Sequence, residues 1–331
     1  MQVAVIGGGS WGTTVAHLCA HNTSTMLYSR RPEVAESIAD RHENDRYLAG
    51  FPLHPNLGCT ADLEEAATGA DVVVMAVASK GFRDTSAAIG SFLAPDVPVV
   101  SLTKGLERGT GKRMTEVLAE ELPGRPHGVL TGPNLAKEIL AGDAAASVVA
   151  MHDEETARNL QGVFATNLFR VYTNTDIVGC ELGGALKNVI AIAVGMAVGL
   201  GTGDNTRAAV ITRGLAELTR LGVAMGGDAT TFAGLTGMGD LIATCMSPQS
   251  RNRTVGEELG KGRTIAEIVE EMNQVAEGVK SAPVVCGLGE RFGVDLPISE
   301  EVRAVVEDGR SAQEAYRGLL RRPQQPELRD D

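Results

Sequence analysis

Lys187 and Asn188 interrupt the segment ELGGALKNVIAIAVGM (residues 181–196), which after Glu181 is otherwise small or apolar. An ammonium on such a segment reaches water, a polar partner or a substrate. Helical side chains lean toward the N-terminus, over the preceding turn. Three and four residues before Lys187 stand Gly184 and Gly183, with no side chains to fill that space. The lysine therefore runs across a bare patch able to border a cavity. The competing reading is a stem lying on apolar surface with its head snorkelling to solvent.

A second cluster is TCMSPQSRNRT, residues 244–254. Ser247-Pro248 reads as an N-cap followed by proline at the first helical position. That puts Ser250, Arg251 and Asn252 in a first helical turn, where N–H groups, a hydroxyl, a guanidinium and an amide can together grip a phosphate. The alternative is an exposed basic turn with no ligand.

A third is GGGSWG, in which Gly7, Gly9 and Gly12 satisfy G-x-G-x-x-G after the apolar run Val3 to Gly7. Gly7 permits the tight turn, Gly9 lets a pyrophosphate approach the backbone, and Gly12 lets the next helix pack on the strand. The helix from Thr13 to Ala20 aims its N-terminus at the phosphates. The second strand, Thr25 to Ser29, ends not in the carboxylate that would hold a ribose 2′-hydroxyl but in Ser29-Arg30-Arg31. Two guanidinium groups there suit a 2′-phosphate, so NADP(H) is the expected preference, with NAD(H) possible; a solvated basic turn before a helix starting near Pro32 is the plainer reading.

Hydride transfer to a ketone also requires a proton donor. All six histidines (His17, His21, His42, His54, His127, His152) precede the helical second half, and none of Tyr28, Tyr47, Tyr172 or Tyr316 has a lysine four residues on. No H-E-x-x-H or paired Cys/His set suggests a metal. Lysine is left as the natural candidate, given tuning by burial and neighbouring cations.

These groups need a frame. Further strands are expected at 71–77, 97–102, 127–130 and 145–151, separated by helical patterns such as 82–93 and 111–122, so the first half reads as a parallel sheet covered on both faces. Ligands of such sheets lie beyond the strand C-termini, which selects Ala78-Ser79-Lys80, Thr103-Lys104-Gly105 and Gly132-Pro133-Asn134. A loop lysine at 104 can equally be solvated. From Asp176 the texture becomes Ala/Leu/Gly-rich and helical, with expected helices at 182–200, 205–221, 229–235, 253–260, 265–272 and 281–292. The fold class is α/β: an N-terminal Rossmann-like parallel-sheet domain (residues 1–178), then a mostly α-helical substrate domain (179–331). The tail RRPQQPELRDD is expected to fray.

The chain has 331 residues, 43% of them hydrophobic, and a formal charge of −12. That length suits about two domains, and the acidic balance argues against a general nucleic-acid binder. Five scattered cysteines without a C-x-x-C pair read as buried thiols of a reducing cytoplasm. The start lacks a basic n-region, and the longest uncharged apolar run, 188–203, is short for a membrane helix. A soluble cytoplasmic protein with no membrane span is expected, and a homodimer is compatible with its apolar helices.

Over nearly its whole length the chain resembles the bacterial NAD(P)-dependent glycerol-3-phosphate dehydrogenases. The motifs that carry this are GGGSWGT at Gly7, KGLE at Lys104, GPNLAKE at Gly132, ELGGALKNVIAIA at Glu181, NTRAAVITRG at Asn205, GLTGMGDLIATC at Gly234, SRNR at Ser250 and VAEGVKSA at Val275. The resemblance implies reversible reduction of dihydroxyacetone phosphate to sn-glycerol 3-phosphate, a phospholipid precursor, with Lys187 as the proton donor and acceptor. It implies substrate contacts from Lys104, Gly132, Asn134, Lys187, Asp240, Ser250, Arg251 and Asn252. Cofactor contacts would come from Ser10, Trp11, Arg30, Arg31, Lys104, Ala136, Arg251, Val275 and Glu277, beside Gly7, Gly9 and Gly12. Two departures stand out. The family's A-V-P-S is here Val77-Ala78-Ser79 without the proline, and Asn134 stands where the family has Ser, able still to donate to an oxygen. Two rivals are a related dehydrogenase of hydroxy acids or phosphogluconate and a cofactor-sensing regulator that turns nothing over.

Overall fold

The structure, a computed structural model, describes residues 1–272 and 276–323. Val275 and nearly all of the proline-rich tail lie outside the described residues.

Eight strands build one sheet: β1 (Gln2–Ile6), β2 (Ser24–Tyr28), β3 (Leu57–Thr60), β4 (Val72–Met75), β5 (Val99–Ser101), β6 (His127–Thr131), β7 (Ala145–Met151) and β8 (Phe169–Asn174), in the order β3-β2-β1-β4-β5-β6-β7-β8. Val3, Ala4, Val5 and Ile6 are fully buried, as the central strand of a sheet covered on both faces must be. Pairing is parallel from β3 across to β6, and β7 is again parallel to β8, but β6 and β7 run antiparallel. The all-parallel expectation fails at that one pair. Between β6 and β7 lies only the five-residue helix Ala136–Leu140, about 7.5 Å of axis, too short to return the chain to the start of a parallel neighbour. Strands β3 and β8 were not anticipated; β8 alternates buried Phe169 and Val171 with exposed Arg170 and Tyr172, the pattern of a sheet edge.

The described chain packs as two compact units, one of residues 1–186 and 218–243, the other of 187–217 and from Thr244 onward. The boundary expected after residue 178 falls inside the unbroken 23-residue helix Ile177–Gly199, and Asp204–Ala224 is likewise shared. By length and composition Ile177–Gly199 is able to cross a membrane, but 94% of its most apolar stretch is buried in protein. It is a core helix.

The second unit is helical, and glycines set its closest approach. A Cβ on Gly195 would lie 2.2 Å from the Arg253 carbonyl oxygen, and one on Gly199 2.1 Å from that of Glu257. Reciprocally, a Cβ on Gly256 would lie 2.0 Å from the Ile192 oxygen and one on Gly260 2.4 Å from that of Met196. Two glycines four residues apart on each helix thus let Ile177–Gly199 and Arg251–Gly260 meet backbone to backbone, which fixes the first turn of the latter helix. Gly256→Ala is therefore expected to cost about 1–3 kcal/mol or more by overpacking, read as a lower urea midpoint. The helices Pro297–Val306 and Ala312–Leu320 were not anticipated. Buried Glu217 accepts from the Ile298 N–H (2.6 Å) and the Ser299 N–H (3.2 Å), closing the first turn of the former.

Candidate active site

In the sheet unit the glycine turn has the geometry its spacing foretells. Gly7 sits at φ +128°, and a Cβ there would lie 2.5 Å from the Ala76 oxygen; one on Gly12 would lie 2.0 Å from the Gly7 oxygen. Around Gly9 a Cβ would meet nothing within 4 Å. The helix Ser10–Ala20 starts at once, with Gly9 as its N-cap and no side-chain cap on its first N–H groups. An open backbone before an uncapped helix start is the cradle a diphosphate needs, so these residues fit a dinucleotide. The helix begins three residues earlier than expected, bringing Ser10 and Trp11 into its first turn. The Trp11 Nε1 is buried without a hydrogen-bond partner among the described residues. Beyond β2, Arg30 is exposed, and Arg31 lies 3.5 Å from Glu33 on the helix Pro32–Arg41.

Beyond β5 and β6 the two selected loops meet. The Lys104 Nζ donates to the Gly132 carbonyl (2.7 Å) and to Asp240 Oδ2 (2.8 Å). Asp240 is almost fully buried and follows a single π-helical turn, Leu235–Gly239, which begins where the helix expected at 229–235 was to end. The missing proline changes little locally, because Ala78 adopts φ −58°, inside the range a proline ring would impose. Asn134 is held by its neighbours. Ser147 Oγ gives its one hydrogen to the Thr131 carbonyl (2.9 Å), so it accepts from Asn134 Nδ2 (3.1 Å). The Asn134 Oδ1 is left buried and without a partner among the described residues. What this residue offers a ligand is that acceptor beside the second hydrogen of its Nδ2. Ala136 opens the short helix after this loop.

In the helical unit Lys187 is only 4% exposed, and its Nζ donates to the hydroxyl of Thr244. The snorkelling alternative is excluded. Ser250, not Ser247, caps the next helix: its Oγ accepts from the Arg253 N–H (3.2 Å), and the helix begins at Arg251. Pro248 sits instead in a turn closed by the Ser250 N–H on the Ser247 oxygen (3.1 Å), where a fixed φ is equally at home. Asn252 is buried; its Nδ2 donates to Asn188 Oδ1 (2.9 Å) and its Oδ1 accepts from the Gly278 N–H (2.9 Å). The amide thus ties the SRNR turn to the residue after Lys187 and to the helix Glu277–Phe292, which opens at Glu277. Arg251 stays exposed on this pinned turn.

Several residues that shape the site escaped the sequence reading. Thr244 and Asn188 carry no motif that foretells their contacts with Lys187 and Asn252. Glu181 is buried with Oε1 accepting from the Thr115 N–H (3.0 Å) and Oε2 from Arg113 Nη1 (3.1 Å) and the Thr115 hydroxyl. Burial pushes its carboxyl above the usual range against the pull of Arg113. It anchors Ile177–Gly199 to the start of the helix Met114–Glu121. Asn44 braces the glycine turn. A long-range polar contact leaves no mark at short spacing, which is why none of these was legible.

Comparison with known proteins gives the chain's family. A glycerol-3-phosphate dehydrogenase structure from Coxiella burnetii, 34% identical, covers 97% of this chain and is itself 99% covered, with a TM-score of 0.92. Fold and glycine turn define a dinucleotide-dependent dehydrogenase, an oxidoreductase. Residues 2–157 and 176–317 match the N-terminal and C-terminal models described as NAD-dependent glycerol-3-phosphate dehydrogenase. The chain is 60% identical to the NAD(P)+ glycerol-3-phosphate dehydrogenase 2 of Sphingopyxis alaskensis over 97% of its length and 96% of the relative's, and 54% identical to the Mycobacterium avium enzyme of that name over 96% and 94%. It belongs to the NAD-dependent glycerol-3-phosphate dehydrogenase family.

Proposed function

We propose that the protein catalyses the reversible, NAD(P)H-dependent reduction of dihydroxyacetone phosphate to sn-glycerol 3-phosphate, with Lys187 as general acid and base. The observation that carries the reading is a lysine 4% exposed, in a unit whose capped helix start presents Ser250 and Arg251. The bound nicotinamide supplies or takes the hydride. Arg251, the Ser250 turn and the backbone N–H of Asn252 hold the substrate phosphate, since first-turn N–H groups have no intrahelical acceptor. Lys187 donates to the carbonyl oxygen, stabilises the charge that develops there and yields its proton; in the reverse direction it takes the hydroxyl proton. Thr244 fixes the ammonium's direction. Lys104, held by Asp240 and the Gly132 oxygen, orients polar groups and balances charge, and the Asn134 Oδ1 accepts from a substrate hydroxyl.

Gly7, Gly9, Ser10, Trp11 and Gly12 hold the dinucleotide, with Lys104, Ala136, Arg251 and Glu277 as further contacts. No disulfide joins the five cysteines, which suits a reducing cytoplasm, where the product would supply phospholipid synthesis. Following NADPH absorbance with dihydroxyacetone phosphate, dihydroxyacetone and a 2-oxo acid tests the assignment. Turnover is expected with the phosphate ester; faster turnover of the oxo acid would refute it.

Arg30 and Arg31 favour the 2′-phosphate of NADPH. Replacing both with alanine is expected to lower kcat/KM for NADPH about 10- to 100-fold, two charge-assisted contacts discounted for exposure, and to leave that for NADH within about threefold. Equal losses with the two cofactors would mean the arginines do not read the 2′-phosphate.

A further inference from the structure

Asn44 belongs to none of the motifs that define the site, yet it is fully buried and both polar atoms of its side chain are engaged. Its Oδ1 accepts from the Tyr47 N–H (3.3 Å), capping the short helix Asp45–Leu48. Its Nδ2 donates to the Gly8 carbonyl (3.1 Å) and to Thr13 Oγ1 (2.9 Å), more than thirty residues away in the chain. These acceptors fix the amide's orientation, because a carbonyl oxygen cannot donate.

In a planar trans peptide the C=O and the following N–H point in opposite directions. Tethering the Gly8 oxygen toward Asn44 therefore turns the Gly9 N–H away from it, at the one position of the turn where the surroundings are open. A peptide between two glycines has no side chain to resist rotation, so the tether decides its orientation. The second hydrogen, on Thr13, ties the same amide to the first turn of the helix Ser10–Ala20. We propose that Asn44 is a positioning residue for the cofactor, aiming the Gly9 N–H and the helix start at the dinucleotide's diphosphate. The inference rests on the dinucleotide reading above and assigns a further part of the same site.

Capping and aiming are separable by chemistry. Serine and aspartate are both good N-caps, but neither carries an amide with two hydrogens to give. Calorimetric titration of Asn44→Ser and Asn44→Asp with NADPH is expected to show Kd raised about 10- to 100-fold, the worth of one N–H to a charged group, with cooperative thermal unfolding kept at a midpoint lowered by the acceptors left without their donor. Adenosine 2′-monophosphate, which has no diphosphate, is expected to bind the Ser variant as it binds wild type. In turnover, KM for NADPH rises while kcat at saturating cofactor stays within about threefold. Wild-type NADPH affinity in the Ser variant would overturn the proposal, as would equal losses for NADPH and the monophosphate, which mark collapse of the turn. A wild-type protein that binds neither NADPH nor NADH would remove the dinucleotide reading itself.

Discussion

Lys187→Ala should fold, bind NADPH and dihydroxyacetone phosphate, and turn over about 10³- to 10⁴-fold more slowly than wild type. A positioned acid–base group contributes about 10²- to 10⁴-fold, and in the proposed mechanism the ammonium would add electrostatic stabilisation of the developing oxyanion. The loss belongs in kcat rather than KM, because the contact strengthens in the transition state. Lys187→Met, which keeps most of the volume, should lose as much, and this separates chemistry from the cavity left by alanine. Lys187→Arg should not restore activity, since a guanidinium keeps its charge but does not give up a proton. Partial rescue of the alanine variant by added alkylamine would show that a proton-bearing amine is what is missing. Turnover of the alanine variant near wild type would remove Lys187 from the mechanism.

Arg251→Leu is expected to cut kcat/KM for dihydroxyacetone phosphate by about 10²- to 10³-fold, or roughly 3–4 kcal/mol of transition-state binding. The same variant should handle unphosphorylated dihydroxyacetone as poorly as wild type does. This arginine starts its helix beside a turn that Asn252 fastens to Asn188 and Gly278. Its backbone stays in place when the side chain is cut, and the effect reports the guanidinium alone. KM for NADPH should rise as well if Arg251 also touches the cofactor. Similar losses on both substrates would place it elsewhere in the reaction than at the phosphate.

The parts of this molecule written in local spacing were legible before any coordinates. The glycine turn, the six strands with continuous apolar runs and the long helix around Lys187 each rest on residues within a few positions of one another. Edge strand β8 hid because alternation over six residues with two exposed side chains is a weak signal. Helix Ala312–Leu320 hid although Ser311 and Glu314 form its capping box, a signal present in the sequence and passed over. The N-cap at 250 was misplaced because Ser247-Pro248 satisfies the same rule; a turn closed on the Ser247 oxygen decides between them, and no sequence pattern reports it.

Long-range chemistry was the real gap. Asn134 was expected to donate, and the acceptor it also presents follows from Ser147, thirteen residues on, whose hydrogen is committed to Thr131. Lys104 pairs with an aspartate 136 residues away, and Asn44 finds Gly8 across the first helix. Such partners are set by which strand ends the sheet brings together, so they become readable only once the topology is known.

The central claim is that hydride passes to the carbonyl carbon of a three-carbon phosphate ester. The most direct measurement uses NADPH deuterated at the transferring position of the nicotinamide, with dihydroxyacetone phosphate as substrate and the product read by NMR and mass spectrometry. The account predicts sn-glycerol 3-phosphate carrying one deuterium on C2, formed in step with NADPH consumption. NADPH consumed without deuterium at C2, or no consumption with this substrate while another carbonyl compound is reduced, would contradict it.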